Sequence, residues 1–231
     1  MIKLRVLSTE GQDLNSRSMH QLRGRINPPP YFIPTKDYLF SPLEGDILLV
    51  CGGSKSGKSK LMEVWAQKLA EEHNAPLIYL ASLEAASDEE NIQRIRRHQK
   101  QRAGRGFTTI ERARDLGGIC EQIPEGSVIL LECLSTWLAN ELFSAPELPK
   151  ENPEFYTEKY YQVLGLLKGR SRNLILSANS VFSDAISLGE GSLLWREVMA
   201  LLLQKISAYR QCYLIEVAAG IPFLYSKSSR Y

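Results

Sequence analysis

The 231-residue sequence has almost no charge imbalance: 28 Lys and Arg against 26 Asp and Glu leave a formal net charge of +2. A protein that works on nucleic acid or on a membrane surface carries a concentrated basic excess, so neither partner is expected, and any anion must be held by a local site. Cysteine is scarce. Cys51, Cys120, Cys133 and Cys212 show neither the close pairs of a zinc site nor the density of a secreted disulfide scaffold, and they read as reduced thiols. No stretch approaches the roughly 20 apolar residues of a membrane helix, and no apolar run follows a basic start. A cytoplasmic enzyme is the expectation. Histidine is rarer still, at His20, His73 and His98, so imidazole chemistry has few addresses.

What is present divides at about residue 45. Residues 1–45 hold Pro28-Pro29-Pro30, scattered charges and one short strand-like run at Ile2 to Leu7. A proline triplet favours extended polyproline II and excludes helix, so this part reads as an N-terminal arm, either a loose extension or an aromatic arm (Tyr31, Phe32, Tyr38) that docks on the domain or on a neighbouring subunit. Residues 46–231 read as one domain, within the size a single core supports. Short apolar runs at Ile47–Val50, Leu77–Leu80, Val128–Leu131, Leu174–Leu176 and Tyr213–Val217 alternate with segments of helical spacing at Lys58–Glu72, Asp88–Gln101, Thr136–Phe143, Glu154–Leu167 and Leu193–Arg210. Near-continuous apolarity implies strands covered on both faces. The predicted fold is α/β, with a mostly parallel sheet and helices on both faces.

The spacing G-x-x-x-x-G-K-S runs through Gly52-Gly53-Ser54-Lys55-Ser56-Gly57-Lys58-Ser59, between an apolar strand and a helix start, which is the context that makes it a phosphate loop and the expected fold a P-loop NTPase of RecA-like type. Glycines let successive N–H groups point inward, and the helix adds its positive end. Lys58 is expected to reach the β and γ phosphates of ATP or GTP, and the Ser59 hydroxyl to ligate Mg²⁺. Glu132, delivered by the strand at Val128–Leu131, is the candidate carboxylate for the metal or its water, the alternative being an exposed strand-end acid.

Ser87 and Glu90 stand at capping-box spacing ahead of a helical segment. In that register Arg94, His98 and Arg102 fall at successive i, i+4 positions and line one face. Flanking guanidinium groups disfavour imidazolium and hold the ring neutral, the state a nitrogen nucleophile needs, and they draw a triphosphate toward it. Spacing alone also suits a structural histidine.

These residues, in order, resemble the bifunctional adenosylcobinamide kinase/adenosylcobinamide-phosphate guanylyltransferase family of cobalamin biosynthesis. The likeness takes in the phosphate loop, Tyr79-Leu80-Ala81, the Arg94-Ile95, His98 and Arg102 element, Phe107, Thr109 and Glu111, the Glu132–Asn140 run, Trp195-Arg196-Glu197 and Ala219-Gly220-Ile221-Pro222. It implies phosphoryl transfer from ATP or GTP to the aminopropanol hydroxyl of adenosylcobinamide, then GMP transfer through a guanylylated His98. It also implies a corrinoid substrate and a homo-oligomer, a trimer in that family. Where the family pattern reads N-E-V-G-x-G-I-V-P this chain reads Asn179-Ser180-Val181-Phe182-Ser183-Asp184-Ala185-Ile186-Ser187, and Leu203 replaces an asparagine. Two other readings stay open: a degenerate, non-catalytic nucleotide-binding module, and a P-loop small-molecule kinase or ATPase with another acceptor.

Overall fold

The computed structural model describes residues 31–32, 44–84, 93, 96, 99–100, 102–145, 149–179 and 190–227. The chain divides into two compact units, Met1–Tyr31 and Phe32–Tyr231, and the second carries the sheet, its helices and the candidate site. The expected arm at 1–45 lies almost wholly outside the described residues.

From Ile47 onward seven strands form one sheet: β1 (Ile47–Gly52), β2 (Leu77–Ala81), β3 (Thr108–Glu111), β4 (Ser127–Glu132), β5 (Ser171–Asn179), β6 (Cys212–Ala218) and β7 (Ile221–Lys227). Their order across the sheet is β7-β6-β1-β5-β4-β2-β3. All neighbours run parallel except β6 and β7, which form an antiparallel hairpin. The five expected strands are the five central ones, buried on both faces as their apolarity implied. The sequence reading missed β3, whose side chains are mostly exposed, and β7, the antiparallel strand.

Helices cover both faces, as predicted. Helix α1 (Lys58–His73) packs Met62, Ala66, Leu69 and Ala70 against Leu48, Val50, Tyr79, Leu130 and Ile175. Helices α2 (Leu134–Leu142), α3 (Pro153–Arg170) and α4 (Glu190–Ser207) bury Trp137, Tyr160, Leu167, Met199 and Leu202 against the opposite face, around Leu49, Leu80, Leu131 and Leu176. Local chemistry sets the helix ends. The Asn152 side chain caps α3 by accepting from the Phe155 N–H at 2.8 Å, with Pro153 in the first turn, where a missing N–H costs nothing. Asn74 closes α1 in the left-handed region, φ 48°. Helix α2 starts at Leu134, two residues before the predicted start, because the Cys133 thiol accepts from the Thr136 N–H. A 3₁₀ turn at Gly117–Gln122 had no sequence signal. All four cysteines are free, and among the described residues no helix is long and apolar enough to cross a membrane.

Candidate nucleotide site

The phosphate loop leaves β1 at Gly52 and enters α1 at Lys58. Its backbone is unusual in two places: Lys55 has φ 60° and Gly57, the residue before α1, has φ 92°. No side chain caps α1 and no acidic residue lies in its first turn, so the first N–H groups and the positive helix end are left for an anion. The loop is braced from behind by the β6–β7 turn, where Ala219 and Gly220 both have positive φ, as a two-residue hairpin turn requires. The Gly220 N–H donates to the Ser56 carbonyl at 2.7 Å. A Cβ at Gly52 would stand 2.5 Å from the Val217 carbonyl oxygen and 2.9 Å from Ser56 Oγ, so the glycine allows the close approach of loop and strand. The Ala219-Gly220-Ile221-Pro222 segment noted in the sequence thus supports the phosphate loop.

Side chains alternate between the two faces of a strand. Glu132 lies two residues beyond Leu130, and Ser177 two beyond Ile175, so both share the α1 face with Tyr79 and Val50. The Ser59 hydroxyl donates to Glu132 Oε1, and the Tyr79 hydroxyl donates to Oε2 at 3.0 Å. Burial, with the Glu132 charge beside it, pushes the Tyr79 phenol far up, so the ring keeps its proton and remains a donor. Lys58 is buried, 6% exposed, and its Nζ donates to the Gly53 carbonyl at 3.2 Å, folded back over the loop. Ser82 exchanges two hydrogen bonds with Cys133, accepting from its N–H at 2.8 Å and donating to its carbonyl at 2.9 Å, which ties the end of β2 to the start of α2.

Arg102 lies on the other side of this carboxylate. Its guanidinium sits 3.6 Å above the centre of the Tyr79 ring, a cation–π contact in a desolvated place. The side chain is only 5% exposed, yet its Nε and Nη1 are buried without a hydrogen-bond partner. The chain just after Arg102 is anchored to α1: Arg105 pairs with the buried Glu63, its Nε donates to Gln67 Oε1 at 3.1 Å, and Gln67 Nε2 donates to the Arg105 carbonyl at 2.9 Å. Arg94 and His98, expected on the same helix, lie outside the described residues. Gln93, Arg96, Gln99 and Lys100 of that segment are exposed.

Ser54, Lys55, Lys58, Ser59, Tyr79, Ser82, Arg102, Glu111, Glu132, Cys133, Thr136, Ser177 and Asn179 surround one cleft of about 820 Å³, open mouth included. It therefore joins the expected Ser54, Lys55, Lys58, Ser59, Arg102 and Glu132 with residues the sequence did not single out as site residues. Tyr79 carried a faint signal, a polar-tipped aromatic inside an apolar run; Ser177 was the first polar residue after another. Among the described residues no group of three or more His, Cys, Asp or Glu stands ready to cage a metal. One serine hydroxyl and one carboxylate side by side are instead the donor set of a hard dication completed by substrate phosphates and water.

Comparison with known proteins assigns the chain to a family. No curated protein matches the chain. Among solved structures, the flagellar accessory protein FlaH from Methanocaldococcus jannaschii is 11% identical, over 82% of this chain and 83% of that one, with a TM-score of 0.41. A family model described as cobinamide kinase / cobinamide phosphate guanyltransferase matches residues 48–224, well over half of the chain and from the phosphate-loop strand into β7. The chain belongs to the cobinamide kinase / cobinamide phosphate guanyltransferase family.

Proposed function

We propose that this protein transfers the γ-phosphoryl group of ATP or GTP to the hydroxyl of a cobinamide corrinoid, and then transfers GMP from GTP to the resulting phosphate. The observation that supports it most directly is the convergence of Lys58, Ser59, Glu132 and the buried Arg102 on one cleft at the end of the phosphate loop. Lys58 and Arg102 bring positive charge, Ser59 and Glu132 bring metal-type oxygens, and the Tyr79 hydroxyl orients the carboxylate.

In the first half, the loop N–H groups and α1 hold the phosphate chain, while Lys58 turns from the Gly53 carbonyl to the β and γ phosphates. Positioning and charge stabilisation then supply most of the rate. Ser59 and Glu132 are the residues that would hold Mg²⁺, Glu132 through water, and the ion would neutralise charge on the β and γ oxygens. The Tyr79 hydroxyl fixes the carboxylate for that task. In the second half, a ring nitrogen of His98 attacks the α-phosphorus of GTP and pyrophosphate departs. An oxygen of the corrinoid phosphate then displaces the imidazole, forming a P–O–P bond as the N–P bond breaks. Arg94 would flank the histidine on its helix. The role of His98 rests on its spacing and on the family.

The test is incubation with GTP and Mg²⁺, followed by intact mass and peptide mapping. An acid-labile GMP adduct on His98, lost in His98→Asn, is expected. An adduct that survives in His98→Asn, or none on folded wild-type protein that binds GTP, would refute the nucleophile. The segment Asn179–Ser187, which departs from the family pattern, favours a second reading in which nucleotide binding and guanylylation persist while corrinoid phosphorylation is weak. Turnover of adenosylcobinamide by the unmodified protein decides between the two.

A further inference from the structure

Two buried polar groups that line the cleft have no hydrogen-bond partner in the protein: the Arg102 guanidinium edge, Nε and Nη1, and the Ser177 hydroxyl. Both are more than nine-tenths buried, Arg102 at 5% and Ser177 at 0% exposure, and both line the cleft that Lys58 and Glu132 line. Buried polar groups are nearly always hydrogen-bonded, so an orphan requires an explanation. Arginine cannot shed its charge or its donors, and a buried guanidinium N–H without an acceptor is costly. The carboxylates of the cleft are engaged elsewhere: Glu132 accepts from Ser59 and Tyr79, and Glu111 from Gln99. An anion that brings its own oxygens satisfies both orphans.

The topology says where on the ligand those oxygens lie. Ser177 pairs in register with Val50, two residues before the phosphate loop. Glu132 ends the strand on the other side of Ser177, and Tyr79, under Arg102, belongs to the strand beyond that. The positions therefore run loop, Ser177, Glu132, Arg102 across neighbouring strands, with about 10 Å of backbone separation between the strands of Ser177 and Tyr79. In strand order Ser177 and the Tyr79 that carries Arg102 thus flank Glu132 on either side, and Arg102 and Ser177 both line the cleft into which the phosphate loop opens. We propose that Arg102 and Ser177 together seat the terminal phosphate of a nucleoside triphosphate, so that this pair, rather than the phosphate loop alone, makes the cleft prefer triphosphate to diphosphate. The inference rests on the nucleotide-binding reading above.

The experiment is calorimetric titration of the full chain with Mg²⁺ and GTP or GDP, and with ATP or ADP, for wild type, Ser177→Ala, Arg102→Met and Lys58→Ala. Methionine keeps an apolar stem over Tyr79 and removes only the charge and donors. The triphosphate-to-diphosphate affinity ratio is expected to fall about 10-fold or more in Arg102→Met and in Ser177→Ala, the range for lost hydrogen bonds to a charged ligand, with diphosphate affinity held within about twofold. Thermal melting without nucleotide provides a second readout: removing a partnerless hydroxyl leaves Ser177→Ala melting at or above wild type. An unchanged ratio in both variants overturns the proposal, and so does a lower melting point of nucleotide-free Ser177→Ala, which would make the hydroxyl a structural partner. If the wild type binds neither nucleotide, or Lys58→Ala binds them undiminished, the phosphate-loop reading itself fails.

Discussion

Tyr79→Phe isolates one oxygen at the centre of the cleft. The ring remains, and with it the Arg102 guanidinium 3.6 Å above its centre and the edge-on Phe107 at 6.0 Å and 87°. What goes is the 3.0 Å hydrogen bond from a buried phenol to Glu132 Oε2. A hydrogen bond to a charged group is worth about 1.5–3 kcal/mol, and water from the cleft partly replaces the donor, so the lower half, about 1.5–2 kcal/mol, applies. At about 2–4 °C per kcal/mol for a chain of this size, the nucleotide-free variant should melt about 3–8 °C below wild type. The phenol is pushed far up by burial and by Glu132, so it stays protonated and the gap should be constant from about pH 6 to pH 9. Under the proposed Mg²⁺ role of Glu132 a freed carboxylate is also less well oriented, and Mg²⁺-dependent triphosphate binding should weaken while metal-free binding changes little. Melting curves at several pH values and titrations with and without Mg²⁺ measure all three effects. A variant that melts within about 1 °C of wild type and keeps its Mg²⁺ dependence would show that Ser59 alone orients Glu132.

Gly52→Ala places a methyl 2.5 Å from the Val217 carbonyl oxygen, a backbone atom that cannot rotate away. An overpacking cost of about 1–3 kcal/mol should appear as a melting point about 2–12 °C lower, together with weakened nucleotide binding; unchanged values for both would mean the loop shifts freely. Burial pushes the Cys51 thiol up to about 11 and the Cys212 thiol up to about 12. Folded pKa values above the unfolded one mean that these thiols contribute stability that is fully present below about pH 9 and lost as pH rises through 11 and 12. A melting point that falls across that window in wild type, and less in Cys51→Ala, is expected, and at pH 8 iodoacetamide should label Cys51 about 100-fold more slowly than a free thiol.

The central strands were legible because burial on both faces leaves little but Val, Ile, Leu and aromatic residues. The edges were not. Strand β3 has only Ile110 partly buried among four residues, so its composition is that of a loop, and it becomes a strand through parallel pairing with β2. In β7, Pro222 and the hairpin turn concealed a strand that pairs antiparallel with β6. The phosphate loop was legible in full because its chemistry is local: eight consecutive residues, a strand before and a helix after. Glu132 was found by the same logic, as the first charge after an apolar strand.

Tyr79 and Ser177 could not be found that way, because their place in the cleft depends on an order that the sequence does not print. Strand β5 follows β4 in the chain but lies between β4 and β1 in the sheet, while β6 lies on the far side of β1. Helix α1, which leaves β1 toward β2, packs on one face, and α4, which leads from β5 to β6, packs on the other. Crossovers between parallel strands are right-handed, so helices on opposite faces force the chain to progress in opposite directions across the sheet. The strand order reverses beside β1, and open α/β sheets bind ligands at the carboxyl ends of strands at such a switch point. The cleft is therefore a consequence of topology, and the residues that share it are those that end β1, β5, β4 and β2 on the α1 face. Serine and tyrosine at those ends lie in ordinary apolar runs until the strands are set side by side; only then does a buried hydroxyl stand between a phosphate loop and a carboxylate.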